Sequence, residues 1–179
     1  MISECLYGHE VDIRFETLSS VFPELRDHTA YQVEHFAPPK SSHTTDLRLF
    51  KSHSPFSVSF PNIIYIVRDP RDVAVSYYYY RIKRGIIARD TSIEEHVDEF
   101  LSGLHTFGSW KQHVGGWLGA CQNEPTFHWL RYEDILDGSN EIPFVRSASS
   151  GNWEEELPSS SARRIEDRWR DLMEELEYL

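Results

Sequence analysis

Residues 62–78 read NIIYIVRDPRDVAVSYY, and this stretch decides the fold. Its first part, 62–67, is dominated by β-branched and aromatic residues with almost no polar interruption, which predicts a buried, central parallel strand. Asp69 and Pro70 follow, and an aspartate N-cap with a proline at the first helical position predicts a helix over 70–84. The stretch therefore predicts a strand, a tight turn and a helix in direct succession.

Outside this stretch, strands and helices continue to alternate. DLRLFK at 46–51 predicts an earlier strand, and TFHWLR at 126–131 predicts a later one. The residues at 91–94, Thr-Ser-Ile-Glu, have the form of a capping box and predict the start of a helix. Apolar residues at helical spacing predict two more helices, at 109–120 and 160–179. This order predicts an α/β fold with a largely parallel sheet, in a single domain that spans residues 1–179.

Composition and charge limit the possible classes of protein. The 179 residues are 40% hydrophobic and 26% charged, which is typical of a soluble globular domain. The formal charge of −11 argues against a nucleic-acid partner bound by bulk positive charge, so any anion site must be local. Cys5 and Cys121 form no metal-ligand or redox spacing, so we expect no metal site and a reducing, cytoplasmic compartment. No run approaches the roughly 18 apolar residues of a membrane span, so no membrane partner is expected.

The stretch that decides the fold also concentrates positive charge. Within residues 62–90, six Lys and Arg residues oppose three acidic residues, which gives a local net charge of +3. Arg68 ends the predicted strand, and Ser76 lies about 9 Å along the axis of the following helix. Both side chains can therefore face one anion. The residues alone leave an alternative open, in which Arg68 pairs with Asp69 or Asp72 and Ser76 is a small residue at a helix contact.

RDPRDVAVSYY, residues 68–78, resembles a segment of the sulfotransferases that use 3′-phosphoadenosine 5′-phosphosulfate (PAPS). In that family the Arg and the Ser eight positions later hold the 3′-phosphate of the donor, which implies this role for Arg68 and Ser76. The resemblance also implies a P-loop NTPase-like sulfotransferase fold, a three-layer parallel sheet flanked by helices. The implied activity is transfer of a sulfuryl group from PAPS to a hydroxyl or amine of a small-molecule acceptor, without a metal.

A second motif, LFKSHSP at residues 49–55, resembles the family's strand-end motif. Its His is the catalytic base and its Lys assists, which implies these roles for His53 and Lys51. Side chains alternate along an extended segment, so Lys51 and His53 are expected on the same side. A His with an ordinary pKa near 6.5 accepts a proton at neutral pH, and a nearby Lys neutralises charge on the sulfuryl oxygens. This geometry suits the implied reaction.

Three later motifs extend the resemblance. GSW at 108–110 resembles the start of a family helix, and LRYED at 130–134 resembles a strand-end motif that implies an adenine contact for Tyr132. Arg146 and GNW at 151–153 resemble a loop of the form R-K-G-x-x-G-D-W, which closes over the 3′-phosphate. Only Arg146 is carried over, because three positions of the loop differ from the family form: Ser147, Ala148 and Asn152.

Two parts of the family pattern are missing: an opening loop, and a longer helical insertion between Asp134 and Arg146, where only 11 residues intervene. Family domains open with a loop of the type P-K-S-G-T-T-W that holds the 5′-phosphosulfate. PKSSHTT at 39–45 lacks the glycine and is expected to be a solvated loop, so the domain is expected to be truncated at its N-terminus. The alternative is an inactive, sulfotransferase-like nucleotide-binding or interaction protein, able to self-associate through an exposed sheet edge. A nucleotide kinase is disfavoured because the chain has no G-x-x-x-x-G-K-[ST] loop.

Overall fold

The computed structural model of the protein describes residues 52–56, 62–104, 107–121, 123–137 and 150–179. The chain divides into two compact units, residues 1–61 with 141–147 and residues 62–140 with 148–179. Of the first unit, only residues 52–56 are described. The predicted strand at 46–51 and the predicted loop at 39–45 lie outside the described residues. The assignment of one domain to the whole chain stays a prediction.

The second unit alternates strands and helices as the sequence predicts. Its elements, in chain order, are β1 (Ile63–Val67), α1 (Pro70–Lys83), α2 (Ile93–Ser102), α3 (Trp110–Cys121), β2 (Phe127–Arg131), α4 (Tyr132–Asp137), α5 (Trp153–Glu156) and α6 (Ser159–Glu175). β1 and β2 pair in parallel, from Ile63 opposite Phe127 to Val67 opposite Arg131. Both strands therefore end at the same edge of the sheet, and the residues that follow them are neighbours.

The core of the second unit lies where α6 packs against α2 and α3. The indole of Trp169 is 2% exposed and meets the rings of Phe100 and Trp110, with centroids 5.3 Å and 5.6 Å apart. Ile165 and Met173 on the same face of α6 are fully buried. The predicted apolar stripe of the last helix is thus confirmed as a core face. None of the helices within the described ranges combines the length and apolar character that a membrane crossing requires.

β1 is less buried than its composition predicts. Tyr65 packs against α3, where its ring centroid lies 5.8 Å from that of Trp117, and Val67 is buried. Ile64 and Ile66 are 47% and 50% exposed. Successive side chains of a strand point to opposite faces. Packing against α3 therefore covers the face of β1 that carries Tyr65 and Val67. It leaves Ile64 and Ile66, on the opposite face, exposed.

The capping box of α2 lies one residue later than predicted. Ser92, and not Thr91, is the N-cap, and its hydroxyl accepts a hydrogen bond from the backbone N–H of Glu95. The Glu95 carboxylate accepts from the backbone N–H of Ser92 in return. Both registers match the S/T-x-x-E pattern. The hydroxyl of Tyr78 donates to the Thr91 carbonyl, which fixes Thr91 outside the helix.

Candidate functional site

Arg68 lies at the carboxyl end of β1, where other elements hold both its backbone and its side chain. Its carbonyl accepts a hydrogen bond of 3.1 Å from the indole N–H of Trp110, the last residue of the GSW motif. Its guanidinium lies over the ring of Tyr132, 4.7 Å from the centroid, a cation–π geometry. The structure thus brings together Arg68 and Tyr132, which come from the carboxyl ends of the two paired strands.

Ser76 lies on the same face of α1 as the side chain that pairs with Arg68. The Arg68 Nη2 atom is 3.7 Å from Asp72 Oδ2, and Ser76 follows Asp72 by one helical turn. This is the ion pair of the alternative interpretation, but it is longer than the 2.7–2.9 Å or so of a charge-assisted hydrogen bond. Ser76 is exposed and does not lie at a buried helix contact. The arrangement therefore keeps a cation and a hydroxyl on one accessible face.

Asp72 is a residue of this site that the motifs did not identify. Its side chain is 1% exposed. Its Oδ2 atom accepts a 2.8 Å hydrogen bond from the backbone N–H of Gly151, and its Oδ1 atom accepts a 3.1 Å bond from that of Trp153. Gly151 has a φ of +85°, in the left-handed region that favours glycine. Asp72 therefore attaches the segment 150–153 to the first turns of α1.

Arg71, three residues from Arg68, is fully engaged by the protein. Its guanidinium donates to Asp69 at 2.6 Å, to Glu166 at 2.7 Å and to the Tyr178 carbonyl at 2.9 Å. It also lies over the Trp153 ring, 3.9 Å from the centroid. Burial acts to lower the pKa of Arg71, but its hydrogen bonds and charge interactions with Asp69 and Glu166 raise that pKa above its ordinary value. Arg71 is thus a structural residue.

Glu133 connects the ends of the two strands. Its carboxylate accepts hydrogen bonds from the backbone N–H of Asp69 at 3.1 Å and from the hydroxyl of Tyr178 at 3.0 Å. Burial, and then the charge and hydrogen bond of Glu133, raise the pKa of the Tyr178 phenol. Glu133 therefore fixes the turn after β1 against the turn after β2, next to Tyr132.

The GSW motif begins α3 with a second capping box, which the sequence analysis missed. The hydroxyl of Ser109 accepts from the backbone N–H of Gln112, and the side chain of Gln112 accepts from the backbone N–H of Ser109. Gly108 before it has a φ of +73°. The S-x-x-Q spacing was a readable signal for this box. Its effect is to fix the start of the helix whose first residue, Trp110, holds the carbonyl of Arg68.

The other predicted site residues belong to the first unit of the chain. His53 is exposed, and it lies between two serines whose hydroxyls are joined by a 2.7 Å hydrogen bond, Ser52 and Ser54. Lys51 and Arg146 lie outside the described residues. Across the described ranges, no group of three or more His, Cys, Asp or Glu side chains could hold a metal ion. The roles of His53, Lys51 and Arg146 stay predictions.

Comparison with known sequences places this geometry in a family. A family model described as the sulfotransferase domain matches residues 8–142. The 3-beta-hydroxysteroid sulfotransferase of Cavia porcellus is 35% identical over 104 residues, which cover 54% of this chain and 36% of that protein. Sulfotransferase 2A1 of Homo sapiens is 37% identical over 101 residues, which cover 52% of this chain and 35% of that protein. The match thus spans about a third of the length of these relatives.

Solved structures share the fold. A crystal structure of retinol dehydratase in complex with androsterone and the inactive cofactor PAP superposes with a TM-score of 0.63 at 19% identity, over 79% of this chain and 56% of that one. Mouse sulfotransferase SULT7A1 complexed with PAP gives a TM-score of 0.57 at 18% identity, over 70% and 66% of the two chains. These likenesses confirm the predicted α/β sulfotransferase fold. Since the family model also matches well over half of its residues, the chain belongs to the sulfotransferase domain family.

Proposed function

We propose that the protein binds PAPS and transfers its sulfuryl group to a hydroxyl or amine of a small-molecule acceptor. One observation carries the proposal: the Arg68 guanidinium lies over Tyr132 at the carboxyl edge of the sheet, on the same face of α1 as the exposed Ser76. Ligands of open α/β sheets bind at this edge. A guanidinium beside a hydroxyl is suited to a phosphate group, which is an anion with several acceptor oxygens.

In this proposal Arg68, Ser76 and Tyr132 hold the nucleotide half of the donor. Arg68 and Ser76 bind the 3′-phosphate, and Tyr132 contacts the adenine next to it. The partial exposure of the Arg68 side chain, 25%, supports this assignment. A guanidinium has five N–H donors in a planar fork, which suits the several acceptor oxygens of a phosphate. The resemblance assigns Arg146 to the same phosphate.

The transfer step uses His53 and Lys51. His53 accepts the proton of the acceptor hydroxyl while the acceptor oxygen forms a bond to sulfur. The bond between sulfur and the bridging oxygen of the 5′-phosphate breaks, and 3′-phosphoadenosine 5′-phosphate (PAP) leaves with that electron pair. Lys51 neutralises the charge that develops on the leaving oxygen. The exposed position of His53 supports its access to an acceptor.

An alcohol on an apolar skeleton is the first class of acceptor to test. The Cavia porcellus relative is named for a 3-beta-hydroxysteroid, and retinol dehydratase was solved with androsterone. We therefore propose a hydroxysteroid-like alcohol ahead of phenols and amines. A panel that contains all three classes, with PAPS as donor, measures this preference.

Isothermal titration of the 179-residue chain with PAP tests the donor site. We expect Arg68→Ala to weaken PAP binding by roughly 10- to 100-fold, because hydrogen bonds to charged groups contribute about 1.5–3 kcal/mol each. Arg84→Ala is the matched control, since Arg84 also lies over a tyrosine ring, that of Tyr80, but at the other end of α1. A wild-type chain that does not bind PAP, or equal binding by the two variants, would contradict the proposal.

A turnover assay distinguishes an active sulfotransferase from the alternative, an inactive nucleotide-binding protein. With PAPS and the acceptor panel, His53→Ala is expected to abolish product formation while PAP binding stays within about twofold of wild type. PAP binding by a wild-type chain that modifies no acceptor of the panel would favour the inactive nucleotide-binding protein instead.

A further inference from the structure

We propose that Asp72 is the positioning residue of the 3′-phosphate site. Its carboxylate holds the Arg68 guanidinium and the backbone of the segment 150–153 in one arrangement, so that both are in place when the phosphate binds. The inference rests on the proposed function, because the 3′-phosphate of PAP is the ligand that this arrangement would serve.

Both oxygens of Asp72 are committed to the segment 150–153. Oδ2 accepts from the N–H of Gly151 at 2.8 Å and Oδ1 accepts from the N–H of Trp153 at 3.1 Å. The side chain is only 1% exposed, and a buried carboxylate is stable only when it is hydrogen-bonded or paired. Losing this acceptor would leave two amide groups without a partner. Asp72 therefore holds the segment in position together with its local turn and with the Arg71 guanidinium, which lies over the Trp153 ring.

The same Oδ2 atom also restricts Arg68. It lies 3.7 Å from Arg68 Nη2, and the ring of Tyr132 lies under the guanidinium at 4.7 Å. A carboxylate at the edge and a ring at the face leave the guanidinium few orientations. Restricting a flexible side chain before the ligand arrives lowers the entropy cost of binding. Asp72 therefore prepares Arg68 for an anion.

The charge of Asp72 and its positioning role predict opposite effects of its removal on PAP affinity. The direction of the measured change therefore distinguishes the two. A negative charge beside a phosphate-binding arginine disfavours an anion, so its removal strengthens binding if charge is what matters. If position matters more, its removal weakens binding. The neighbouring ion pair of Arg71 with Asp69, at 2.6 Å, already stabilises this turn. The longer contact of Asp72 with Arg68 is therefore not needed to stabilise it.

Titration of the 179-residue chain with PAP and with adenosine 5′-phosphate, which lacks the 3′-phosphate, tests the proposal. Asp72→Asn keeps the shape and one acceptor oxygen, and it is expected to weaken PAP binding about tenfold while adenosine 5′-phosphate stays within about twofold. In an Arg68→Ala background most of the effect of Asp72→Asn should disappear. Asp69→Asn is the matched control, a buried carboxylate of the same turn that also accepts from a backbone N–H and pairs with an arginine.

Three results would overturn the proposal. In the first, Asp72→Asn binds PAP as tightly as wild type or more tightly. In the second, it loses affinity for both nucleotides equally, and in the third it weakens PAP binding no more than Asp69→Asn does. A wild-type chain that binds no PAP removes the proposed function and this inference with it, and that failure is distinct because it appears without any variant.

If Asp72→Asn does not fold, a measurement on the wild-type chain still tests the proposal. Hydrogen exchange at the backbone amides of Gly151 and Trp153, followed by NMR with and without PAP, reports directly on the two bonds to Asp72. PAP is expected to slow both amides by about tenfold or more, while the amides at the centre of α6 do not change. Unchanged exchange at Gly151 and Trp153 in the PAP-bound chain would overturn the proposal.

Discussion

Arg68 and Arg71 lie three residues apart around the start of α1, yet their surroundings differ. The Arg71 side chain is 8% exposed and donates to two carboxylates and a carbonyl: those of Asp69, Glu166 and Tyr178. The Arg68 side chain is 25% exposed, and its Nη2 atom lies 3.7 Å from the Asp72 carboxylate. In the letters RDPRD the two arginines look equivalent. In the fold, Arg71 is a structural residue, whereas Arg68 faces the edge of the sheet where ligands bind.

The difference shows how to separate an arginine that stabilises the fold from one that binds a ligand. A guanidinium whose donors are all directed to buried protein acceptors gives no more hydrogen bonds to an anion. The Arg68 guanidinium is held by a ring on one face and a longer ion pair at one edge, and it stays partly exposed to solvent. Substitution of Arg71 should therefore affect stability, and substitution of Arg68 should affect binding.

Arg71→Ala gives the largest expected effect. Removing one partner of a buried ion pair leaves Asp69 and Glu166 uncompensated and is expected to lower the free energy of unfolding by about 3–5 kcal/mol. Arg68→Ala removes a longer ion pair whose arginine is more exposed, while Asp72 keeps its two backbone hydrogen bonds, so it is expected to cost less than about 1 kcal/mol. Urea unfolding of both variants measures the contrast. Equal losses of stability in the two variants would contradict the proposed distinction between a structural Arg71 and a ligand-binding Arg68.

Arg68→Lys sharpens the same contrast from the side of binding. The lysine keeps the positive charge but loses the planar fork that contacts two phosphate oxygens at once. We expect PAP affinity to fall about tenfold while the free energy of unfolding stays within about 0.5 kcal/mol of wild type. Titration with PAP and urea unfolding of the same preparation check both parts. Full PAP affinity in Arg68→Lys would mean that charge alone suffices at this position.

Local signals in the sequence were enough to predict the elements around the site. The N-cap at Asp69, the proline after it and the apolar run before it predicted β1 and α1 to within a residue or two. The capping box of α2 was wrong by one residue, because Thr91 and Ser92 both fit the pattern and only a bond from Tyr78 distinguishes them. Local patterns thus locate elements better than their end residues.

Contacts between distant parts of the chain could not be predicted in this way. Asp72 lies 79 and 81 positions from the amides that it accepts from, and Arg71 lies 95 positions from Glu166. No spacing rule connects such residues, since their meeting depends on how α6 and the segment 150–153 return to α1. Arg68 and Ser76 are proposed as ligand-binding residues from their local spacing and from the family resemblance, and neither carried information about the distant partners of Asp72 or Arg71.

Ser109→Ala tests a helix cap that is connected to the site only through the backbone carbonyl of Arg68. Ser109 caps α3, whose first residue donates to the carbonyl of Arg68. Loss of an N-cap hydroxyl costs about 1 kcal/mol, so the free energy of unfolding should fall by that amount with PAP affinity within about twofold of wild type. Ser76→Ala is the control, an exposed serine of α1 with the opposite expectation. A large loss of PAP affinity in Ser109→Ala would show that the Trp110 contact orients Arg68 itself.

The smallest expected effect concerns Tyr79, one turn beyond Ser76 on α1. Its hydroxyl donates to the Glu156 carboxylate at 2.6 Å, and this hydrogen bond, followed by partial burial and the charge of Glu156, raises the pKa of Tyr79 to about 12. The folded state therefore holds the phenol proton more tightly than the unfolded state. The resulting stability is fully present below the unfolded pKa of about 10 and is lost as the pH rises through about 12.

Glu156→Gln removes the charge and should return the pKa of Tyr79 toward its ordinary value, so that one tyrosine ionises earlier in an ultraviolet difference titration. Tyr79→Phe identifies that step by deleting it. Both groups are largely solvent-exposed, so the gain in stability is small at neutral pH. If Glu156→Gln left the titration unchanged, the hydrogen bond between Tyr79 and Glu156 would be absent in solution, and Asp72 and the Arg71–Trp153 contact would hold this part of the chain against α1.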